Sequence, residues 1–152
     1  MVKVMATGTF DLLHMGHIYF LKEAKKLGDY LCVVVATDVT VRKLKHEPIN
    51  PENIRLGLIK ELSIVDEAYI GHEKDMYKVV EDIKPDIIAL GYDQIHNEKN
   101  IISELKKRKL TTKVVRLKEY KCGSDLDGTR RIIQKIISAY EFQKKMERIE
   151  GK

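Results

Sequence analysis

The chain has 152 residues, enough for one domain that buries most of its unfolded surface without disulfides or a structural metal. Hydrophobic residues make up 43% and charged residues 34%, and no apolar run approaches the roughly 20 residues of a membrane span, so no membrane-spanning helix is expected. The net charge of +5 suits anionic partners, but the charges interleave without an arginine-rich run. Small anionic ligands are therefore expected rather than nucleic acid. Cys32 and Cys122 lie far apart, with no metal-type spacing, and no signal peptide opens the chain, so a reducing, cytoplasmic setting is expected.

Lys3–Thr7 is a predicted first strand, followed by a predicted helix over Gly16–Leu27 that stops at Gly28. Tyr30–Thr37 is nearly all apolar and β-rich, the pattern of a strand buried on both faces. A short helical piece over Val39–Leu44 follows. Asn50-Pro51 then supplies an N-cap and a proline at the first helical position, predicting a helix over Pro51–Leu62. Glu67–Gly71 is a third predicted strand and Asp75–Ile83 a helix stopped before Pro85. Asp86–Leu90 is a fourth strand, Asn97–Arg108 a helix, Thr112–Leu117 a fifth strand and Thr129–Arg148 a long terminal helix.

Strands alternating with helices predict an α/β fold: a single Rossmann-like, doubly wound domain with a five-stranded parallel sheet and helices on both faces. No repeat or linker interrupts it. Ligands of such sheets bind beyond the carboxyl ends of the strands, which gathers the loops Gly8–His17, Thr37-Asp38 and Gly91–Gln94 around one crevice.

Gly8-Thr9-Phe10-Asp11-Leu12-Leu13-His14-Met15-Gly16-His17 runs from the first strand into the first helix. His14 and His17, three apart, would share a helix face and could hold a metal, although no third ligand follows at helical spacing. Two ordinary surface histidines are the bland reading. The preferred reading places both imidazoles at a positively polarised helix N-terminus, donating hydrogen bonds to phosphate oxygens as charge builds in a displacement at phosphorus.

Gly8-Thr9-Phe10-Asp11 with His14-Met15-Gly16-His17 resembles the nucleotide-binding motif of the cytidylyltransferase-like nucleotidyltransferases. Pro85-Asp86-Ile87-Ile88-Ala89-Leu90-Gly91-Tyr92-Asp93-Gln94 is similar to the archaeal FAD synthetases within that family. The resemblance implies AMP transfer from ATP to FMN, with Mg²⁺ or another divalent cation and release of pyrophosphate. Residues 1–137 would form the nucleotidyltransferase domain and 138–152 a helical extension of it. A CTP-dependent enzyme acting on glycerol 3-phosphate, another alcohol phosphate or a lipopolysaccharide precursor is the first alternative. A nucleotide-binding regulator without catalysis is the second.

By the same resemblance, His14, His17, Lys45 and Arg55 are the expected catalytic residues. Gly8, Thr9, Phe10, Gly91, Asp93, Thr129 and Arg130 are expected at the nucleotide together with the two histidines. Asp11, Lys43 and Lys45 are expected at the acceptor, with Asp11 facing it or a metal. No protein metal site is expected. Asp38 is expected to orient a ribose or a lysine, or simply to form a turn. Gly128-Thr129-Arg130-Arg131 departs from the family's Ser/Thr-rich tripeptide, leaving Thr129 the one hydroxyl and Arg130 a substitute triphosphate ligand. Tyr140, Phe142, Met146 and Ile149 at helical spacing are expected to pack on the domain, with a homodimer contact as the other reading.

Overall fold

The computed structural model describes residues 1–44, 47–119 and 126–151. Its centre is β1 (Lys3–Gly8), which pairs in parallel with β2 (Tyr30–Val35) on one side and β4 (Ile87–Leu90) on the other. The edges are β3 (Glu67–Ile70) beside β2 and β5 (Lys113–Arg116) beside β4, so the sheet order is β3-β2-β1-β4-β5. The order reverses between β1 and β4. That switch point opens a crevice at the carboxyl end of the sheet.

The two-residue period of the strands supplies two cores. Val4 and Ala6 of β1 with Leu31, Val33 and Val35 of β2 pack under α1 (Met15–Lys25) and α3 (Glu52–Lys60), through Phe20, Leu21, Ala24 and Ile59. Met5, Cys32 and Val34 face the other way, toward α4 (Lys78–Ile83) and α5 (Glu98–Lys107), through Val80, Ile83, Ile101 and Leu105. Cys32 is fully buried, and burial with the nearby Glu67 carboxylate pushes its thiol up to about 11, so it is an inert core residue.

Side chains that capture backbone amides set several boundaries inside the predicted ones. β2 stops at Val35 because Thr37 is the N-cap of α2 (Asp38–Lys43), its hydroxyl accepting the Thr40 amide at 3.1 Å. Pro51, expected as the first helical residue, is instead the N-cap of α3, so the helix starts one position later, at Glu52. The segment before α4 is a turn, not helix: His72 Nδ1 accepts the amides of Lys74 and Asp75, and Asp75 accepts that of Tyr77.

The terminal helix α6 (Thr129–Ile149) has no buried residue. Tyr140, Phe142 and Ile149 are 60%, 65% and 68% exposed, which corrects the expectation that this face packs on the domain. Its first turn meets the rest of the chain, where Thr129 Oγ1 donates to the Asp11 carbonyl at 2.9 Å. Among the described residues, no helix is long and apolar enough to cross a membrane. Since α6 contributes no buried side chain, deleting residues 138–152 should leave the melting temperature of the monomer within about 2 °C of the full chain. A scanning-calorimetry drop well beyond that would show that another surface covers α6.

Candidate active site

The turn leaving β1 is under backbone constraint. Phe10 and Leu12 both adopt left-handed conformations, with φ of 53° and 48°, which is costly for side chains of this size. The Phe10 ring folds beneath Gly8, where a Cβ would lie 2.9 Å from it. The chain then enters α1 with His14 as N-cap. Gly16 is required by a close approach: any side chain there would collide with the Asp127 carbonyl oxygen and with the His14 ring. The turn before α6 thus sits directly against the start of α1.

His14 and His17 stack face to face, with ring centroids 3.7 Å apart and 25° between planes, and Phe10 meets His17 edge-on at 5.4 Å. His17 Nδ1 accepts the His14 backbone N–H across a long 3.4 Å. A ring nitrogen accepting there carries no proton, which leaves the proton of the neutral imidazole on Nε2, the donor form a phosphate oxygen needs. Desolvation, helped by the neighbouring His14, depresses the His17 pKa to about 3. Desolvation lowers that of His14 as well, against an opposing pull from Asp127. The pair is therefore neutral at physiological pH while no anion is bound. Among the described residues no well-formed hydrogen bond reaches the buried His14 Nδ1; the His17 backbone N–H faces the His14 side chain only in a loose capping-box arrangement.

Arg55 takes a different place from the expected one. Its side chain is wholly buried, and it donates to the carbonyls of Thr9 at 2.7 Å, Ala36 at 2.8 Å and Asn50 at 2.9 Å. Nη2 closes a 2.7 Å ion pair with Asp38. The guanidinium is spent on the loops after β1 and β2, so the structure corrects its expected contact with phosphate. Asp38 is accordingly Arg55's partner. Desolvation alone would raise the Asp38 pKa, but the Arg55 hydrogen bond, a backbone hydrogen bond and the Arg55 and Arg42 charges together outweigh it and leave the carboxyl below its ordinary value.

Asp11 lines the cavity as expected, but its carboxylate is already engaged, accepting the amides of Ile49 at 2.6 Å, Asn50 at 3.0 Å and Leu12 at 3.1 Å. The Asn50 residue is held from both sides, its N–H by Asp11 and its carbonyl by Arg55. Lys43 extends toward the Glu73 carbonyl, 3.4 Å away, and is not brought into the crevice. Lys45 and Cys122 lie outside the described residues.

The crevice is a cavity of about 900 Å³ whose wall includes Gly8, Thr9, Phe10, His14 and His17. Gly91 and Asp93 face it from the loop after β4, and Thr129 and Arg130 from the start of α6. The N-termini of α1 and α6 thus open onto one space, and both helix dipoles favour an anion there. Gln94, from the loop already expected there, Arg131 and Asp127 also line it, and of these Asp127 was missed. Gln94 ties the β4 loop to β1, accepting the Gly91 amide and donating to the Thr7 carbonyl, each at 2.8 Å. Arg116, at the end of edge strand β5, was missed too, and nothing in its local sequence separates it from a solvated strand end.

An all-parallel sheet with paired helix N-termini and two histidines at its switch point defines a nucleotide-handling α/β protein. The family model for cytidylyltransferase-like proteins matches residues 5–142. The chain belongs to that family. It is 60% identical over 137 residues to FAD synthase of Aciduliprofundum boonei, covering 90% of this chain and 91% of that one. FAD synthase of Thermoplasma volcanium is 51% identical over 137 residues, covering 90% and 95%. Among solved structures, a lipopolysaccharide core biosynthesis protein from Thermoplasma volcanium superposes with a TM-score of 0.78 at 55% identity, covering 80% of this chain and 99% of that one.

Removing a buried charge that four acceptors depend on is severe: Arg55→Ala should lower folding stability by about 3–5 kcal/mol, measured by denaturant unfolding. A loss under about 1 kcal/mol would contradict the bracing role. The depressed His17 pKa has a definite sign. Between the unfolded value of 6.5 and about 3, the unfolded chain binds a proton that the ligand-free folded chain refuses, so stability falls as pH drops through that window. The difference in melting temperature between His17→Gln and wild type should therefore move in favour of the variant from pH 6.5 downward. A difference that stays constant with pH would refute the assignment.

Proposed function

We propose that this protein is an FMN adenylyltransferase, transferring AMP from ATP to the phosphate of FMN to give FAD and pyrophosphate. The observation that carries the reading is the convergence of two helix N-termini and the stacked His14–His17 pair on one cavity. The FAD synthase relatives supply the acceptor, with 60% and 51% identity over nine-tenths of this chain.

In the proposed reaction a terminal phosphate oxygen of FMN attacks the α-phosphorus of ATP. The new O–P bond forms as the bond to the bridging α–β oxygen breaks, and pyrophosphate leaves with those electrons. The neutral imidazoles of His14 and His17 donate hydrogen bonds to the α-phosphate oxygens as charge accumulates, which stabilises the transition state without a covalent intermediate. Thr129, Arg130 and the amides at the start of α6 receive the departing β- and γ-phosphates. Gly8, Thr9 and Phe10 border the nucleotide from β1, and Gly91 and Asp93 from β4. Lys45 is proposed at the acceptor phosphate.

Among the described residues, no group of three His, Cys, Asp or Glu side chains could hold a metal ion. A divalent cation such as Mg²⁺ fits as part of the nucleotide substrate, bound mainly by phosphate oxygens and neutralising their charge. Residues 1–137 would contain the whole reaction site and 138–152 only the projecting part of α6. The direct test mixes the protein with ATP, FMN and Mg²⁺ and follows FAD and pyrophosphate. FAD should form, and His14→Ala and His17→Ala should each lower kcat by about 10²–10³. Turnover confined to CTP with an alcohol phosphate would sink the flavin reading, and full activity in both variants would sink the mechanism.

A further inference from the structure

We infer that Arg116 is the positioning residue that holds the loop after β4 in the shape that receives the nucleotide, an inference that rests on ATP occupying the crevice as proposed above. Arg116 is the last residue of edge strand β5, and it is not part of the cavity wall. Its guanidinium lies against the neighbouring loop. Nη1 donates to the Gly91 carbonyl at 2.8 Å and the Gln94 carbonyl at 3.0 Å, Nη2 donates to the His96 carbonyl, and Nε pairs with the Glu98 carboxylate at 2.6 Å.

Residues 91–97 are neither helix nor strand, so no ladder of backbone bonds sets their conformation. Three carbonyls bound to one rigid planar group set it instead, because anchoring a carbonyl fixes the plane of its peptide. From the opposite side the Gln94 amide completes the frame, bonded to the Gly91 N–H and to the Thr7 carbonyl of β1. Tyr92, Asp93 and Gln94, which line the cavity, are thereby presented in one arrangement before any ligand arrives. A loop ordered in advance does not have to lose its conformational freedom on binding, and the gain appears as affinity for whatever the loop touches. Lysine offers three donors on a single nitrogen and cannot span three carbonyls and a carboxylate at once.

The experiment compares Arg116→Ala, Arg116→Lys and Glu98→Gln with wild type. ATP affinity is measured by titration calorimetry without acceptor, and KM for ATP, KM for FMN and kcat in the coupled assay. Arg116→Ala should weaken ATP binding and raise KM for ATP by about tenfold, the effect of losing a set of charge-assisted bonds that order the loop. KM for FMN and kcat at saturating ATP should stay within about twofold, a split that general loss of structure would not produce. Arg116→Lys should recover only part of the affinity. Glu98→Gln, which leaves the three carbonyl bonds in place, should match wild type. Unchanged ATP affinity in Arg116→Ala, or an equal rise in both KM values, would overturn the proposal. If Arg116→Ala does not fold, Arg116→Lys decides: wild-type ATP affinity in it overturns the proposal, and a loss of threefold or more upholds it. The calorimetry needs no acceptor, so absence of FAD formation by wild type would overturn the acceptor reading alone.

Discussion

The crevice depends on one buried cation. Arg55 has no exposed surface, and an isolated guanidinium in that position would carry a desolvation cost of several kcal/mol. The cost is met only because all three of its nitrogens find acceptors, in the Thr9, Ala36 and Asn50 carbonyls and the Asp38 carboxylate. Those acceptors come from the end of β1, the end of β2, the loop before α3 and the start of α2. Any arrangement that displaced one of these segments would strand a buried charge or a buried carbonyl, so the four are obliged to meet in one geometry. Asp11 adds the complementary grip, accepting the amides on the other side of Asn50.

From that brace the chemistry of the site follows. With Thr9 and Asp11 held, the backbone takes left-handed conformations at Phe10 between them and at Leu12 just after, and delivers His14 to the N-cap of α1. Gly16 then admits the Asp127 carbonyl, and Thr129 bonds back to the Asp11 carbonyl, so the start of α6 is registered against the start of α1. The outcome is a wall in which two positive helix ends and two neutral imidazoles share a cavity. A neutral donor such as His17, with its proton on Nε2, can follow an accumulating negative charge without first losing a proton to water. On the far side of β1 a second arginine, Arg116, serves the β4 loop as Arg55 serves the β1 and β2 loops. Each of these two loop sets thus has a cation behind it.

Much of the fold was legible in order and type, because strands buried on both faces and helices with one apolar stripe leave strong periodic signals. Val4, Ala6, Leu31, Val33 and Val35 against Met5, Cys32 and Val34 show how directly the two-residue period became two cores. Boundaries slipped where side chains captured amides, as Thr37 did at the start of α2 and His72 and Asp75 did before α4. For α6, helical spacing of Tyr140, Phe142 and Ile149 described an apolar stripe correctly but carried no information about whether anything covers it.

By itself the sequence determined the strand–turn–helix that carries His14 and His17, the parallel sheet, and the reaction class that the ordered motif announces. Those properties are local: they depend on residues within a turn or two of one another and on the period of the apolar positions. Only the tertiary structure decided whether each polar residue faces ligand or protein. Arg55 and Asp11 carry the charge and type of substrate-binding residues, yet partners as far as 46 and 39 positions away consume their hydrogen-bonding capacity. Arg116 looks like a solvated strand end until the loop after β4, some 25 residues earlier, is brought against it. Charge and residue type are written in the chain. Which surface a charge meets is a property of packing.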